Sequence, residues 1–119
     1  MQYKWLDEYL LSKVGATKDF KEEWQWHRYL IGGKMFGAIC KNKVGEPIVT
    51  VKCDPLFGES LRNQYADVNE GYYMNKVHWN SVNLESDVPE TVIKLMVDQS
   101  YQLVFNALSK KMQREIAAE

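Results

Sequence analysis

Apolar residues recur at intervals of three and four near both ends of this chain, and this spacing predicts two helices. The first predicted helix spans residues 2–14 and ends before Gly15, a residue type that suits the left-handed backbone of a helix terminus. The second begins at Pro89 and follows an apolar stripe whose spacing continues through Met112 and Ile116. Helices therefore open and close the predicted fold.

Apolar and polar residues alternate between Trp24 and Lys52, and a period of two is typical of half-buried strands. Breaks at Gly32–Gly33 and at residues 42–46 divide this stretch into three strands joined by hairpins. The chain returns to an extended pattern around residues 72–84. The middle of the chain thus predicts an antiparallel meander with one or two further strands.

The junction after the third strand predicts another helix. Asp54 has the side chain of an N-cap, and Pro55 suits the first helical position because no backbone N–H is needed there. The order helix, three strands, helix, one or two strands, helix describes a single α+β domain over residues 1–119. We expect a two-layer sandwich in which the helices cover one face of an antiparallel sheet.

Hairpin geometry assigns the strand residues to two faces of this sheet. A two-residue loop at Gly32–Gly33 pairs Ile31 with Lys34, and the next hairpin pairs Asn42 with Pro47. The predicted core face then carries Gln25, His27, Tyr29, Phe36, Ala38, Cys40, Val49, Val51 and Cys53. The other face carries Trp24, Trp26, Arg28, Leu30, Met35, Gly37, Ile39, Lys41, Ile48, Thr50 and Lys52. This second face combines indoles with cations.

Overall charge argues against tight, non-specific binding of nucleic acid. The net charge is -1 and the pI is about 6.1, whereas proteins that bind mainly by counterion release carry a cationic excess. The imbalance is local: residues 24–53 hold five basic side chains and one acidic, and residues 54–70 hold four acidic and one basic. A basic sheet beside an acidic helix could orient an anionic ligand, although charges separate in this way by chance on many proteins.

Two stretches therefore provide candidate nucleic-acid contacts. Aromatic rings interleaved with cations stack on bases and neutralise phosphates, and the Asn, Lys and His side chains of residues 75–80 suit phosphates and base edges. In an extended strand, Lys76, His78 and Asn80 would share the outer side while Trp79 anchors the core. The predicted contact residues are Trp26, Arg28, Lys34, Lys41, Lys43, Lys52, Asn75, Lys76, His78 and Asn80.

Each stretch also has a structural interpretation. Exposed apolar patches usually mark protein contacts, so the Trp24–Trp26 face is better explained by a covering helix or a dimer partner, with the lysines at its margin. Asn75 and Asn80 suit backbone hydrogen bonds at a turn and at a strand edge. Nucleic-acid binding and protein interaction therefore both remain open.

Other functional classes have little support in the sequence. His27 and His78 lack a nearby carboxylate, so we expect no catalytic site, and the ligand spacing of a zinc site is missing. No cofactor motif is present, and Gly32–Gly33–Lys34 suits a hairpin rather than a phosphate loop. The apolar runs are too short for a membrane span, and we expect a cytoplasmic protein with Cys40 and Cys53 as buried thiols.

Several short motifs together resemble the MmcQ/YjbR family, small bacterial proteins described as candidates for DNA binding. The matching motifs are Gly33–Lys34–Met35–Phe36, Lys52–Cys53–Asp54–Pro55, Leu61–Arg62, Gly71–Tyr72, Met74–Asn75–Lys76, His78–Trp79–Asn80, Asp98–Gln99–Ser100–Tyr101 and Leu108–Ser109–Lys110–Lys111. The resemblance implies a two-layer α+β fold similar to that of secretion chaperones, with projecting hairpins that would grip DNA.

Departures from the family pattern reduce the positive charge of this member. Glu70 stands in place of the family's proline, Tyr73 in place of a histidine and Val77 in place of a frequent lysine. Ser109 replaces a frequent proline, and the loss of this helix stop predicts a longer C-terminal helix. The resemblance implies a DNA-binding or regulatory protein that uses the basic hairpins of residues 32–44 and the 75–80 segment.

Overall fold

The computed structural model describes residues 3–71 and 74–118. Its elements are α1 Lys4–Leu11, β1 Thr17–Lys21, β2 Trp26–Ile31, β3 Lys34–Lys41, β4 Pro47–Lys52, α2 Pro55–Gln64, β5 Val68–Glu70, β6 Trp79–Asn83, α3 Glu90–Ala107 and α4 Lys110–Ala117. Three residues of the sequence predictions, Gln2, Tyr72 and Tyr73, lie outside the described ranges.

The strands form one antiparallel sheet in the order β1-β2-β3-β4-β6-β5. Buried residues of all four helices, including Leu10, Leu61, Met96 and Ile116, share one core cluster with strand residues such as Val49. The opposite sheet surface, here called the open face, has its own small cluster without helical residues among those described. The predicted α+β fold with helices on one sheet face is confirmed.

Two local predictions follow from backbone chemistry and are confirmed. Asp54 caps α2, since its Oδ2 accepts hydrogen bonds from the Leu56 and Phe57 N–H groups at 3.1 and 3.4 Å. Gly32 and Gly33 have φ angles of +57° and +78°, which a tight hairpin with two left-handed residues requires. Ile31 pairs with Lys34 across this turn, as predicted.

The predicted face assignment is wrong for the second half of β3. The pairing of β2 with β3 shifts by one residue after Leu30 and Met35, so that Tyr29 pairs with Gly37. This bulge lies where α1 approaches closely, because a Cβ on Gly37 would stand 3.0 Å from Leu10 Cδ2. In contrast to the prediction, Ala38 and Cys40 therefore lie on the open face. Gly37, Ile39 and Lys41 lie on the opposite face, which the helices cover and which is called the covered face.

The predicted register between β3 and β4 is also wrong by one residue. Pro47 pairs with Lys41, not with Asn42. The two one-residue errors in register have opposite effects on the face assignment of β4. Val49 and Val51 therefore lie in the core as expected, and Ile48 lies on the open face.

The predicted continuous C-terminal helix is wrong. Helix α3 ends at Ala107, Leu108 is extended with a ψ of 161°, and Ser109 caps the separate helix α4 by accepting a hydrogen bond from the Met112 N–H at 3.1 Å. A serine in place of proline thus starts a new helix instead of extending the old one. The turn lets Ile116 pack into the main core.

The sequence patterns also missed edge strand β1 and overextended two other elements. Four of the five residues of β1 are exposed, so the strand has no apolar alternation to reveal it. The first helix ends at Leu11 instead of residue 14, and residues 76–78 form a turn instead of part of a strand.

Candidate nucleic-acid interface

An apolar depression of about 450 Å³ lies on the open face and is lined by Trp24, Trp26, Arg28, Met35 and Met74. We call it the aromatic recess. Trp26 is nearly buried, whereas Trp24 is 56% exposed, and the two indoles meet edge to face with centroids 5.4 Å apart. The recess therefore presents an accessible indole above a fixed apolar floor.

Arg28 supplies the cation of this recess, but its charge is compensated. Its Nε and Nη2 atoms donate to the two carboxylate oxygens of Asp19 at 2.8 and 2.6 Å, across the β1–β2 pair. These hydrogen bonds raise the pKa of Arg28 and lower the pKa of Asp19. The predicted contact residue Arg28 is thus already engaged with a carboxylate.

The predicted lysines lie at two opposite ends of the sheet. Lys34 begins β3 and Lys41 ends it, and a strand of this length spans roughly 23 Å. Lys52 ends the antiparallel neighbour β4 beside the start of β3, and Lys76 lies in the turn before Trp79, the partner of Lys52. Lys34, Lys52 and Lys76 therefore share one end, here called the hairpin end.

Lys41 and Lys43 belong to the other end, with the hairpin of residues 42–46. Both side chains are exposed. The turn itself is fixed by Asn42, whose Oδ1 accepts hydrogen bonds from the Val44 and Glu46 N–H groups at 3.1 and 2.9 Å. The structure does not bring Lys41 and Lys43 together with the other predicted lysines.

Helix α4 adds basic residues that the sequence analysis did not select. A Cβ on Gly32 would stand 2.7 Å from Met112 Sδ and 2.9 Å from Leu108 Cδ1, so the β2–β3 turn packs against the start of α4. The exposed residues Lys110 and Lys111 therefore join the hairpin end. Their family motif was visible in the sequence, but only the tertiary contact with Gly32 places them near Lys34.

The cations of the hairpin end differ from other cations in their partners. Among the described residues, Lys34, Lys52, Lys76, Lys110 and Lys111 have no side-chain ion pair or hydrogen bond. In contrast, ion pairs join Lys4 to Glu8, Lys13 to Asp98, Lys18 to Asp7 and Arg28 to Asp19. Lys21 and Lys94 also have no described ion pair, but each lies over an aromatic ring. The largest group of cations without a described side-chain partner is therefore at the hairpin end.

The remaining predicted residues of the 75–80 segment have structural contacts. Asn75 Oδ1 accepts a hydrogen bond from the Val77 N–H at 2.9 Å, which fixes the turn. His78 is exposed, and its carbonyl accepts a hydrogen bond from the Cys53 N–H at 2.6 Å. Asn75 therefore shapes the turn that presents Lys76 and His78.

The prediction that Asn80 faces outward is wrong. Asn80 is fully buried, and its Oδ1 accepts a hydrogen bond from Arg62 Nη1 at 2.5 Å. Gly58 is required opposite it, because a Cβ there would stand 2.6 Å from Asn80 Nδ2. The amide joins β6 to α2 and has no surface to offer a ligand.

The other half of the open face is acidic. A depression of about 450 Å³ over β4, β5 and β6 is lined by Asn42, Glu46, Ile48, Asp67, Asn69, Glu70, Ser81 and Asn83. Asn42 and Asn83 donate to the Glu46 carboxylate, each at 3.1 Å. We call this depression the acidic recess, and its carboxylates disfavour an anion on that half of the sheet.

The two cysteines are buried thiols, as predicted. Burial raises the pKa of both the Cys40 and the Cys53 thiol to about 11, so neither is a thiolate near neutral pH. Within residues 3–71 and 74–118, no group of three or more His, Cys, Asp or Glu side chains is arranged to hold a metal ion. None of the helices in these ranges combines the length and apolar character needed to cross a bilayer.

Comparisons with known structures show the same fold. A Deinococcus radiodurans protein, DR2400, with a DUF419 domain, superposes with a TM-score of 0.84 at 23% identity, over 94% of this chain and 85% of that one. A crystal structure from Pseudomonas syringae gives a TM-score of 0.76 at 20% identity, over 87% of this chain and 98% of that one.

Sequence relatives give the family. YjbR of Escherichia coli K12 is 31% identical over 107 residues, which are 90% of each chain, and YbdF of Escherichia coli O157:H7 is 34% identical over 74% of this chain and 71% of its own. The family model described as YjbR matches residues 11–103. This chain therefore belongs to the YjbR family.

Proposed function

We propose that the hairpin end binds the sugar–phosphate backbone of nucleic acid. The observation that carries this proposal is the convergence of Lys34, Lys52, Lys76, Lys110 and Lys111 on one end without a described side-chain ion pair or hydrogen bond. Lysines in this state exchange water and counterions for phosphates without first breaking an ion pair.

The distribution of charge limits the strength of this binding. The net charge of -1 and the acidic recess repel a polyanion from much of the molecule. Five phosphate contacts predict a slope of about −3.5 in log K against log salt for a single strand, and about −4.5 for a duplex. We therefore expect weak binding that depends steeply on salt and little on base sequence.

A titration with labelled single-stranded and duplex DNA at low and moderate salt tests the proposal. The double variant Lys110→Gln with Lys111→Gln should weaken binding roughly tenfold at moderate salt, since each lysine contributes to counterion release. The matched control, Lys4→Gln with Lys94→Gln, changes the net charge equally on α1 and α3 and should leave affinity within about twofold.

Two results would contradict the proposal. The first is absence of binding to either DNA at low salt. The second is an equal loss of affinity in both double variants, because binding would then follow net charge instead of position on the surface.

A protein partner or a second copy of the chain on the open face is a second candidate function. The 56% exposure of Trp24 beside the apolar floor of the aromatic recess favours it, because tryptophan is enriched at the centres of protein interfaces. Light scattering of the wild-type chain and of Trp24→Ala measures self-association. A concentration-dependent dimer that the substitution dissociates would support this candidate.

A further inference from the structure

The aromatic recess and the hairpin end are continuous along the chain. Met35, near the start of β3, lines the recess, and Met74 lines it two residues before Lys76. Lys52 ends β4 on the open-face side, two residues after Thr50, whose hydroxyl bonds to that of Ser81 on this face. An apolar aromatic surface therefore lies beside two of the uncompensated lysines, Lys52 and Lys76, whereas Lys34 faces the helix-covered side with its partner Ile31.

The shape and chemistry of the recess suit a flat ring. Its volume of about 450 Å³ falls in the range of small-ligand pockets, and its walls are indoles and thioethers, which favour contact with an aromatic face. Asp19 accepts hydrogen bonds from the Nε and Nη2 groups of Arg28 and compensates its charge, so the ring itself need not be charged. The other guanidinium N–H groups are donors for acceptor atoms on the ring.

A ring of this kind joined to phosphates is a nucleotide. Lys52 and Lys76 lie at the hairpin end, whereas Glu46 and Asp67 lie towards the opposite end of the acidic recess, and Glu70 is separated from Lys52 by strand β6. The charges thus direct the phosphates to the hairpin end and leave the ring over Trp24. In a duplex the bases are stacked and paired, so only an unpaired base presents its face to an indole.

We propose that the aromatic recess binds an unpaired nucleobase of a single strand whose phosphates lie along Lys52 and Lys76. The inference rests on the proposed backbone binding at the hairpin end and adds a preference for single strands. Trp24 provides the stacking face, with Trp26, Met35 and Met74 beneath it.

Two oligonucleotides of equal length and charge separate the ring from the phosphates. One is oligothymidylate, and the other carries abasic sites in place of the bases. We expect oligothymidylate to bind about tenfold more tightly and to quench tryptophan fluorescence saturably, because each stacked base adds affinity that phosphates do not supply. The abasic strand should bind with the salt dependence of the lysines alone and with little quenching.

Trp24→Ala tests which residue supplies the stacking face. Truncation of an exposed side chain has little effect on stability, so the variant should fold. It should lose about tenfold in affinity for oligothymidylate and nothing for the abasic strand. The matched control is Leu95→Ala on α3, which truncates an apolar side chain of 59% exposure and should change neither affinity.

The possible results lead to different conclusions. Equal affinity for the two strands overturns the inference but leaves backbone binding intact. Failure of both strands to bind at low salt overturns the proposed function as well. A dimer that Trp24→Ala dissociates would assign the recess to a second copy of the chain and also overturn the inference.

Discussion

Cations near α1 and β1 and cations at the hairpin end are the same residue types in two different states. Lys18 donates to Asp7 at 2.7 Å and Arg28 donates to Asp19 at 2.8 and 2.6 Å, whereas Lys34 and Lys110 have no described side-chain partner. The first group holds α1 and β1 against the sheet. The difference indicates that positive charge stabilises the fold on one side of the molecule and is available to a ligand on the other.

Two lysines of the hairpin end lie where they destabilise their own helix, α4. Lys110 and Lys111 lie in its first turn, which contains no acidic residue. Cations in this position oppose the helix dipole by about 0.3–1 kcal/mol each. A feature that destabilises its own helix is more easily explained by a role in binding than by a role in folding.

Asp7→Ala is expected to give the largest difference between the ion-paired cations near α1 and β1 and the lysines of the hairpin end, because it should lower stability without changing DNA binding. Asp7 Oδ1 accepts hydrogen bonds from the Tyr29 hydroxyl at 2.5 Å and from Lys18, and Tyr29 is fully buried. Loss of the carboxylate leaves the buried hydroxyl without this acceptor, so urea unfolding should show a loss of about 3 kcal/mol. DNA affinity at the hairpin end should be unchanged.

The pH dependence of unfolding tests the contribution of the Asp7 carboxylate to stability. Burial alone would raise the pKa of Asp7, but hydrogen bonds from Lys18 and Tyr29 outweigh it and hold the pKa below the usual 3.8. A lowered pKa means that this contribution is complete above about pH 4 and is lost as the pH falls through the folded-state value. The stability difference between wild type and Asp7→Ala should therefore narrow below pH 3.8, and a pH-independent difference would contradict the assignment.

An intermediate effect is expected for Ser100→Ala, which tests what holds the hairpin end together. Ser100 Oγ donates to the Phe36 carbonyl and accepts from the Lys52 N–H at 2.8 Å, so one buried hydroxyl of α3 joins β3 to β4. Its loss should cost about 1–2 kcal/mol in urea unfolding and also weaken DNA binding. Ser109→Gly, at the α4 N-cap, is the control and should cost only a few tenths of a kcal/mol.

Lys110→Glu is expected to give the smallest change in stability, and this change should be a gain instead of a loss. An acidic residue in the first turn of α4 complements the helix dipole, so the variant should gain about 0.5 kcal/mol in stability. It should also bind DNA more weakly because it places a negative charge at the hairpin end. If the variant loses stability, or binds DNA as well as wild type, the distinction between cations that stabilise the fold and lysines that bind a ligand would be wrong.

Much of the fold was predictable because its signals are local. Asp54–Pro55 starts α2 and Gly32–Gly33 forms the hairpin because a cap and two left-handed residues depend on neighbours a few positions away. The faces of β2 and β4 follow from alternation. Strand β1 was missed because an exposed edge strand needs no apolar pattern.

The candidate site was less predictable because its residues come from distant segments. Asn80 was placed outside by a strand pattern that begins at Lys76, but the strand begins at Trp79 and the amide is fixed by Arg62 of α2. Lys110 and Lys111 were missed because their position depends on the contact of Gly32 with Met112.

The sequence by itself determined the fold class, the family, most element types and the presence of a basic and aromatic meander. Only the tertiary structure decided which cations have carboxylate partners and which face outward unpaired. The bulge beside Gly37, where Leu10 approaches closely, decided the face of Ala38 and Cys40, and the packing of α4 on the β2–β3 turn brought Lys110 and Lys111 to the hairpin end. Both depend on contacts between residues far apart in the chain, and such contacts leave no periodic signal in the sequence.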